Sequence, residues 1–145
     1  MGVLATMNKA FLAQYRQPLR LWWLWFASAC LLVLFVCVMS LVNLSEANLQ
    51  VSDKTLHFIA YWSISIWWLQ IFRGRWVGLV IVTAAIALGV SLEIAQSFHP
   101  MRHMDYRDAI ANSIGAGLGY ICALLGLRNA LLWLETTCFE LLQRR

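Results

Sequence analysis

The sequence predicts an all-α, polytopic membrane protein in which four transmembrane helices form a small bundle with an amphipathic interfacial helix at each terminus. Composition is the first observation: of 145 residues, 61% are hydrophobic and 12% are charged, with a mean hydropathy of +0.69. A soluble domain carries about 25% charged residues, and a disordered chain has low hydrophobicity, so both classes are excluded. The second observation is a series of apolar runs near the roughly 20 residues that a membrane-crossing helix needs.

Four apolar runs are expected to span the membrane, and they leave room for a single domain over residues 1–145. The first run has 24 residues and no charge, which is too long for the core of a signal peptide, about 7–15 residues. Ser52 or Asp53 can cap the second run, and Asp105 or Asp108 can begin the fourth, because such side chains accept hydrogen bonds from the first helical N–H groups. The runs cover residues 21–44, 56–72, 76–98 and 109–127.

The two flanking segments, residues 1–20 and 128–145, are expected to lie along the membrane surface. In each segment apolar side chains gather on one helical face and polar side chains on the other, as is typical of interfacial helices. On the N-terminal segment the polar face includes Lys9, Arg16 and Gln17. On the C-terminal segment the two faces consist of Asn129, Thr136, Glu140 and Gln143 against Leu131, Leu134, Cys138, Leu141 and Leu142.

The basic residues predict the orientation of the chain. Because short cytoplasmic loops are enriched in Lys and Arg, the side of the bundle with more bases is expected to be cytoplasmic, together with both termini. The formal net charge of +4 is therefore assigned to topology, and no nucleic-acid partner is expected. The bases on the cytoplasmic side are Lys9, Arg16, Arg20, Arg73, Arg75, Arg128, Arg144 and Arg145.

Polar residues of three predicted spans meet on the opposite, extracytoplasmic side. Lys54, His57 and Tyr61 are three and four residues apart, so they share one helical face. Glu93 lies just inside the outer boundary of its span, where an ionisable residue is costly and normally faces the bundle interior. The other members of this group are Asp53, Gln96, Arg102, Asp105, Asp108 and Asn112, with His99, His103 and Arg107 in or near the same loop.

Small residues recur every four positions on the fourth span, at Ala111, Gly115, Gly119 and Ala123. Such a face lets another helix backbone approach closely. Packing within the chain is the preferred interpretation, and a homodimer through the Gly115 and Gly119 face is the alternative.

The polar and small residues form one ordered pattern: Asp53, Lys54, His57, Phe58 and Tyr61; Glu93 and Gln96; and Arg102, Asp105, Asp108, Asn112, Gly115 and Gly119. This pattern resembles the VanZ-like family over about residues 21–127, with both flanks outside it. The resemblance implies a multi-pass protein of the bacterial cytoplasmic membrane. The founding member of that family is associated with glycopeptide resistance, particularly to teicoplanin, and is not an enzyme that rebuilds the peptidoglycan stem; the resemblance implies no particular reaction.

Three hypotheses follow for the polar group. As a hydrolase or transferase site, it would use His57, Glu93 and Asp108 for acid–base catalysis on a lipid-linked envelope compound. As a binding site, it would hold the head group of such a lipid, or a glycopeptide, by charge and shape, with Arg side chains suited to phosphate. As a structural network, it would only fix helix ends, and Asp105 alone is best explained as a helix cap. In the first two hypotheses the ligand-binding residues are Asp53, Lys54, Tyr61, Gln96, Arg102, Asp105 and Asn112.

No cofactor is identified from the sequence. A divalent metal on His57, Glu93, Asp105 and Asp108 suits these ligand types, but no HxxxH or HExxH spacing supports it. The expected partners are therefore membrane lipids and a lipid-linked or glycopeptide-related ligand.

Overall fold

The computed structural model describes residues 14–41, 52–98 and 105–144, and this part of the chain is all-α. A single 3-10 turn, Leu127–Asn129, connects the last two helices. The five helices are α1 (Trp22–Leu41), α2 (Asp53–Ile71), α3 (Arg75–Ser97), α4 (Tyr106–Leu124) and α5 (Ala130–Gln143).

The first four helices run up and down, so the end of α1, the start of α2, the end of α3 and the start of α4 lie together. We call this the site end of the bundle. Two side-chain contacts define it: Lys54 of α2 reaches Asp105 at the start of α4, and the Gln96 amide of α3 donates to the Ser40 carbonyl of α1 at 2.6 Å. The charged turn between α2 and α3, with Arg73 and Arg75, lies at the opposite end.

The four predicted spans are supported in part. By length and apolar character, α1 and α3 can each cross a membrane, and α4 joins them only if it is counted together with the following helical segment, Leu127–Gln143, from which it is bent by 75°. Helix α2 does not qualify on its own. It is the central helix, in contact with α1, α3, α4 and α5, and a helix covered by protein rather than lipid can carry polar residues at membrane depth.

Helices α2 and α4 pack most extensively, because glycine lets their backbones touch. A Cβ atom on Gly115 would collide with the backbone carbonyl oxygen of Phe58, and one on Gly119 would lie 2.9 Å from that of Trp62. The small-residue face is thus filled by α2 of the same chain, as the intramolecular interpretation predicts. A homodimer through this face would first have to displace α2.

The described part of the N-terminal flank is helical at Gln14 and Tyr15 and then departs from the predicted helix. Residues 1–13 lie outside the description, and Arg16 pairs with Phe72 in an isolated antiparallel bridge. The Gln17 N–H donates to the Ile71 carbonyl at 2.8 Å, and Gln17 is buried. Arg16 and Gln17 were expected on the polar face of a helix; instead the chain is extended here, because the Ile71 carbonyl and the Arg73 N–H at the end of α2 bond to the backbone of Gln17 and Tyr15.

The C-terminal flank is helical, as predicted, and one side of it packs against the bundle. Gly126 adopts φ 119°, a backbone conformation that favours glycine, and turns the chain into α5. Leu131 and Glu135 are the buried residues of α5, whereas Leu141 and Leu142 are exposed. The Glu135 carboxylate accepts from the Arg20 and Leu21 N–H groups at 2.7 and 2.9 Å and from the Trp25 indole at 2.7 Å.

Candidate functional site

The charged residues at the site end converge as the sequence predicts. The first turns of α2 carry Asp53, Lys54 and His57, the last turns of α3 carry Glu93, and the start of α4 carries Asp105, Asp108 and Asn112. These helices bring the residues together because α2 lies against both α3 and α4. We call this set the polar cluster; its members are Asp53, Lys54, His57, Glu93, Asp105, Asp108 and Asn112.

His57 is fixed by Asn112. The Nδ1 atom of His57 lies 3.1 Å from the Oδ1 atom of Asn112, and because an amide oxygen only accepts, Nδ1 is the donor. In the neutral ring Nε2 then carries a lone pair and no proton. Asn112 itself is 2% exposed, so the tautomer is set by a residue that is held firmly inside the bundle.

The free side of the His57 ring faces three carboxylates from three helices. Nε2 lies 3.8 Å from Oδ1 of Asp53, 4.0 Å from Oε1 of Glu93 and 4.0 Å from Oδ2 of Asp108. These separations exceed hydrogen-bonding distance. Three acidic groups therefore surround one ring nitrogen without bonding to it directly.

Lys54 supplies the positive charge of the polar cluster. Its ammonium group lies 3.4 Å from Oδ2 of Asp105 and 3.8 Å from Oδ1 of Asp108. Asp105 is the N-cap of α4 and accepts from the Arg107 N–H at 2.9 Å, which confirms the predicted cap. The Arg107 N–H, with the nearby Lys54 ammonium, holds the pKa of Asp105 below its ordinary value.

Several polar groups beneath the ring are buried. Glu93 and Tyr61 are each 1% exposed. The Tyr61 hydroxyl and the Oδ1 atom of Asp108 are buried and have no hydrogen-bond partner among the described residues. A Cβ atom on Gly89 would lie 2.9 Å from the Asn112 amide nitrogen and 3.2 Å from the Tyr61 ring, so this glycine of α3 makes room for both side chains.

An apolar groove between α1 and α2 ends at the polar cluster. Its volume is about 370 Å³. Side chains such as Leu32, Phe35 and Ile59 line most of it, and Asp53 and His57 form its polar end together with Gln96. The apolar groove and the polar cluster therefore share the side chains of Asp53 and His57.

The remaining predicted site residues are placed as follows. Gln96 lines the polar end of the groove and donates to the Ser40 carbonyl of α1. Arg102, His99 and His103 lie outside the described residues. The guanidinium group of Arg107 lies over the Tyr106 ring, 5.8 Å from its centroid, and Arg107 is exposed.

The carboxylates beside the His57 ring differ from those considered as possible metal ligands in the sequence. The metal hypothesis grouped His57, Glu93 and Asp108 with Asp105, but Asp105 is engaged by Lys54 and the α4 cap, and Asp53 lies beside the ring instead. Asp53 and His57 are four residues apart on α2, a spacing that places two side chains on one helical face. This spacing in the sequence could have indicated that Asp53 lies beside His57.

The fold and the site define the class: a small helical membrane protein with a charged cluster at one end of its bundle. A model of the VanZ/LLP1 family matches residues 6–127. The chain therefore belongs to the VanZ/LLP1 family, which confirms the resemblance seen in the sequence. The match begins at residue 6 rather than at about residue 21, so most of the N-terminal flank lies within the family region. No curated protein and no solved structure matched the chain.

Proposed function

We propose that this protein binds an amphipathic, lipid-linked compound of the bacterial cell envelope, with the hydrocarbon chain in the groove between α1 and α2 and the head group at the polar cluster. One observation carries the proposal: Asp53 and His57 belong both to the cluster and to the end of the apolar groove. Ligand sites in proteins are typically apolar cavities with a few convergent polar groups. A lipid matches this arrangement better than a glycopeptide, because most of the side chains that line the groove are apolar.

In this proposal the site end faces the extracytoplasmic side of the cytoplasmic membrane, and both termini are cytoplasmic. The distribution of bases supports it: Arg73 and Arg75 lie at the opposite end, as do Arg20 and Arg128 near the bend to α5. Positive charge marks the cytoplasmic side. The polar cluster would then meet envelope lipids in the outer leaflet.

The site also supports a reaction, as a hydrolase or transferase. His57 and Glu93 lie 4.0 Å apart, and each can exchange a proton with a bound substrate. Asp108, the third predicted catalytic residue, lies at the same distance from the ring. The proposed ligand contacts are Asp53, Lys54 and Asn112 at the head group and Gln96 at the end of the groove, with Tyr61 buried beneath the polar cluster.

Lipid binding is tested by filling the groove. Ser63 lines the groove, and a phenylalanine there would occupy part of its volume. We expect Ser63→Phe to weaken binding of a polyisoprenyl diphosphate in nanodiscs, measured by native mass spectrometry. Ser91→Phe is the matched control, because Ser91 is exposed on α3 and does not line the groove. Equal lipid binding by both variants and the wild type would refute the placement of the hydrocarbon chain in the groove.

Catalysis and binding are separated by two conservative variants. Glu93→Gln and His57→Asn keep similar shapes and remove a titratable group. If the site is catalytic, the wild type converts the bound lipid, and both variants lose this turnover while still binding the lipid. If the site only binds, neither the wild type nor the variants convert the lipid, and the variants largely keep its affinity. Failure of both variants to accumulate as folded protein would instead favour the structural network.

A further inference from the structure

We infer that the polar cluster is a divalent cation site whose ligands are Asp53 Oδ1, His57 Nε2 and an oxygen of Asp108, with Glu93 directly behind them. One oxygen or nitrogen of Asp53, His57 and Asp108 can be chosen so that all lie within 4.8 Å of one another. Three atoms bound to one ion at about 2.1–2.3 Å lie about 3–4 Å from one another. Only a small inward movement is needed, and Asp53, with a side chain 69% exposed, has room for it.

The orientation of His57 provides a second, independent reason. A metal-bound histidine almost always donates its other ring N–H to a fixed acceptor, which turns the lone pair toward the ion. Asn112 accepts from Nδ1 at 3.1 Å and so leaves Nε2 as the ligating atom. Nothing among the described residues hydrogen-bonds to Nε2, although three carboxylate oxygens lie 3.8–4.0 Å away.

Buried Asp108 provides a third reason. It is 7% exposed, and its Oδ1 atom has no hydrogen-bond partner among the described residues; Lys54 is 3.8 Å from it. A buried carboxylate oxygen without a donor is costly, and a bound cation removes that cost. Carboxylate oxygens with a single imidazole suit Mn²⁺, Mg²⁺ or Zn²⁺.

A cation also resolves a conflict of charge within the proposed function. The polar cluster holds four carboxyl groups and one lysine, and Asp53 lines the end of the groove, so an anionic head group would be repelled by the protein alone. A divalent ion held by the carboxylates presents positive charge to the ligand. This bridging role rests on the proposed function, whereas binding of the ion does not. With Nε2 assigned to the ion, Glu93 remains as the group for proton transfer.

The test uses the full chain in detergent micelles, stripped of metal with a chelator and titrated with Mn²⁺ alone. Electron paramagnetic resonance of free Mn²⁺ gives the stoichiometry and affinity. We expect one strong site per chain and a loss of at least about tenfold in affinity in Asp53→Asn, by analogy with the loss seen for supporting groups of metal sites. Asp53 is exposed, so this variant leaves the core untouched.

Asp105→Asn is the matched control, because Asp105 belongs to the polar cluster but not to the ligand set. It should weaken Mn²⁺ binding less than Asp53→Asn does. Spin-echo modulation should detect a directly bound nitrogen in the wild type and not in His57→Gln. The inference is overturned by a wild type without stoichiometric binding, by bound Mn²⁺ without the nitrogen signal, or by equal losses in the two aspartate variants. Lipid binding, measured separately with and without Mn²⁺, reports on the proposed function, and absence of lipid binding in both states would contradict that function alone.

Discussion

Glu135 shows how one buried carboxylate can organise a distant part of the chain. It is 4% exposed and accepts three hydrogen bonds, two of them from the N–H groups of Arg20 and Leu21 just before α1. The first N–H groups of a helix have no partner within the helix, and a negative charge there is favourable. Glu135 therefore serves as the N-terminal cap of α1 from the far end of the sequence.

Removal of this carboxylate should destabilise the protein. We expect Glu135→Ala to lower the free energy of unfolding by about 1–3 kcal/mol, because buried donors lose their acceptor. Steric-trapping measurements in micelles can quantify the change. Glu140→Ala on the same helix is the control, since Glu140 is exposed. An identical stability of both variants would contradict the capping role.

Asn112 should determine the tautomer of His57. In Asn112→Ala the Nδ1–H loses its acceptor, so the ring should no longer favour the Nδ1–H form, and ¹⁵N shifts of labelled histidine report this directly. Asn112→Asp retains an acceptor and should preserve the tautomer. Ser113→Ala is a neighbouring control, because the Ser113 hydroxyl bonds only to the Ala109 carbonyl of its own helix. An unchanged spectrum in Asn112→Ala would show that another group orients the ring.

Helix α4 owes its position to two glycines that face α2. Because a side chain on Gly115 would meet the Phe58 backbone, we expect Gly115→Ala to separate the two helices and to destabilise the bundle by about 1–3 kcal/mol, the usual cost of overpacking. Thermal unfolding in micelles measures the effect.

Gly117 offers a control on the same helix. Among the described residues, nothing outside its own helix backbone lies within 4 Å of a Cβ atom placed there, so Gly117→Ala should be neutral or stabilising by about 0.5–1 kcal/mol, as alanine favours the helix. If Gly115→Ala and Gly117→Ala change the stability equally, helix propensity rather than close packing of α4 against α2 determines the effect.

The elements and much of the site follow from sequence because the patterns are local. Apolar runs predict α1 and α3, and the spacing from Lys54 to His57 predicts a shared face. The Glu135 contacts could not be predicted, since they join residues 110–115 positions apart and depend on a bend at Gly126. Likewise, Arg16 and Gln17 form extended pairing only because the end of α2 lies beside them.

The orientation of the bundle sets which compartment the polar cluster meets. The positive residues predict that a reporter fused after Arg145 is cytoplasmic and that one inserted near His99 is extracytoplasmic. Phosphatase and fluorescent-protein fusions distinguish the two locations. The opposite result would place the polar cluster on the cytoplasmic side and remove the argument for an outer-leaflet ligand.

The Glu135 contact also has a consequence for biogenesis. A ribosome delivers Arg20 and Leu21 to the membrane long before it reaches Glu135, which is 115 residues after Arg20. Until then the leading amides of the first helix must be hydrated by water at the membrane surface. The N-terminal end of α1 is therefore completed only after Glu135 has been synthesised and α5 has packed against it.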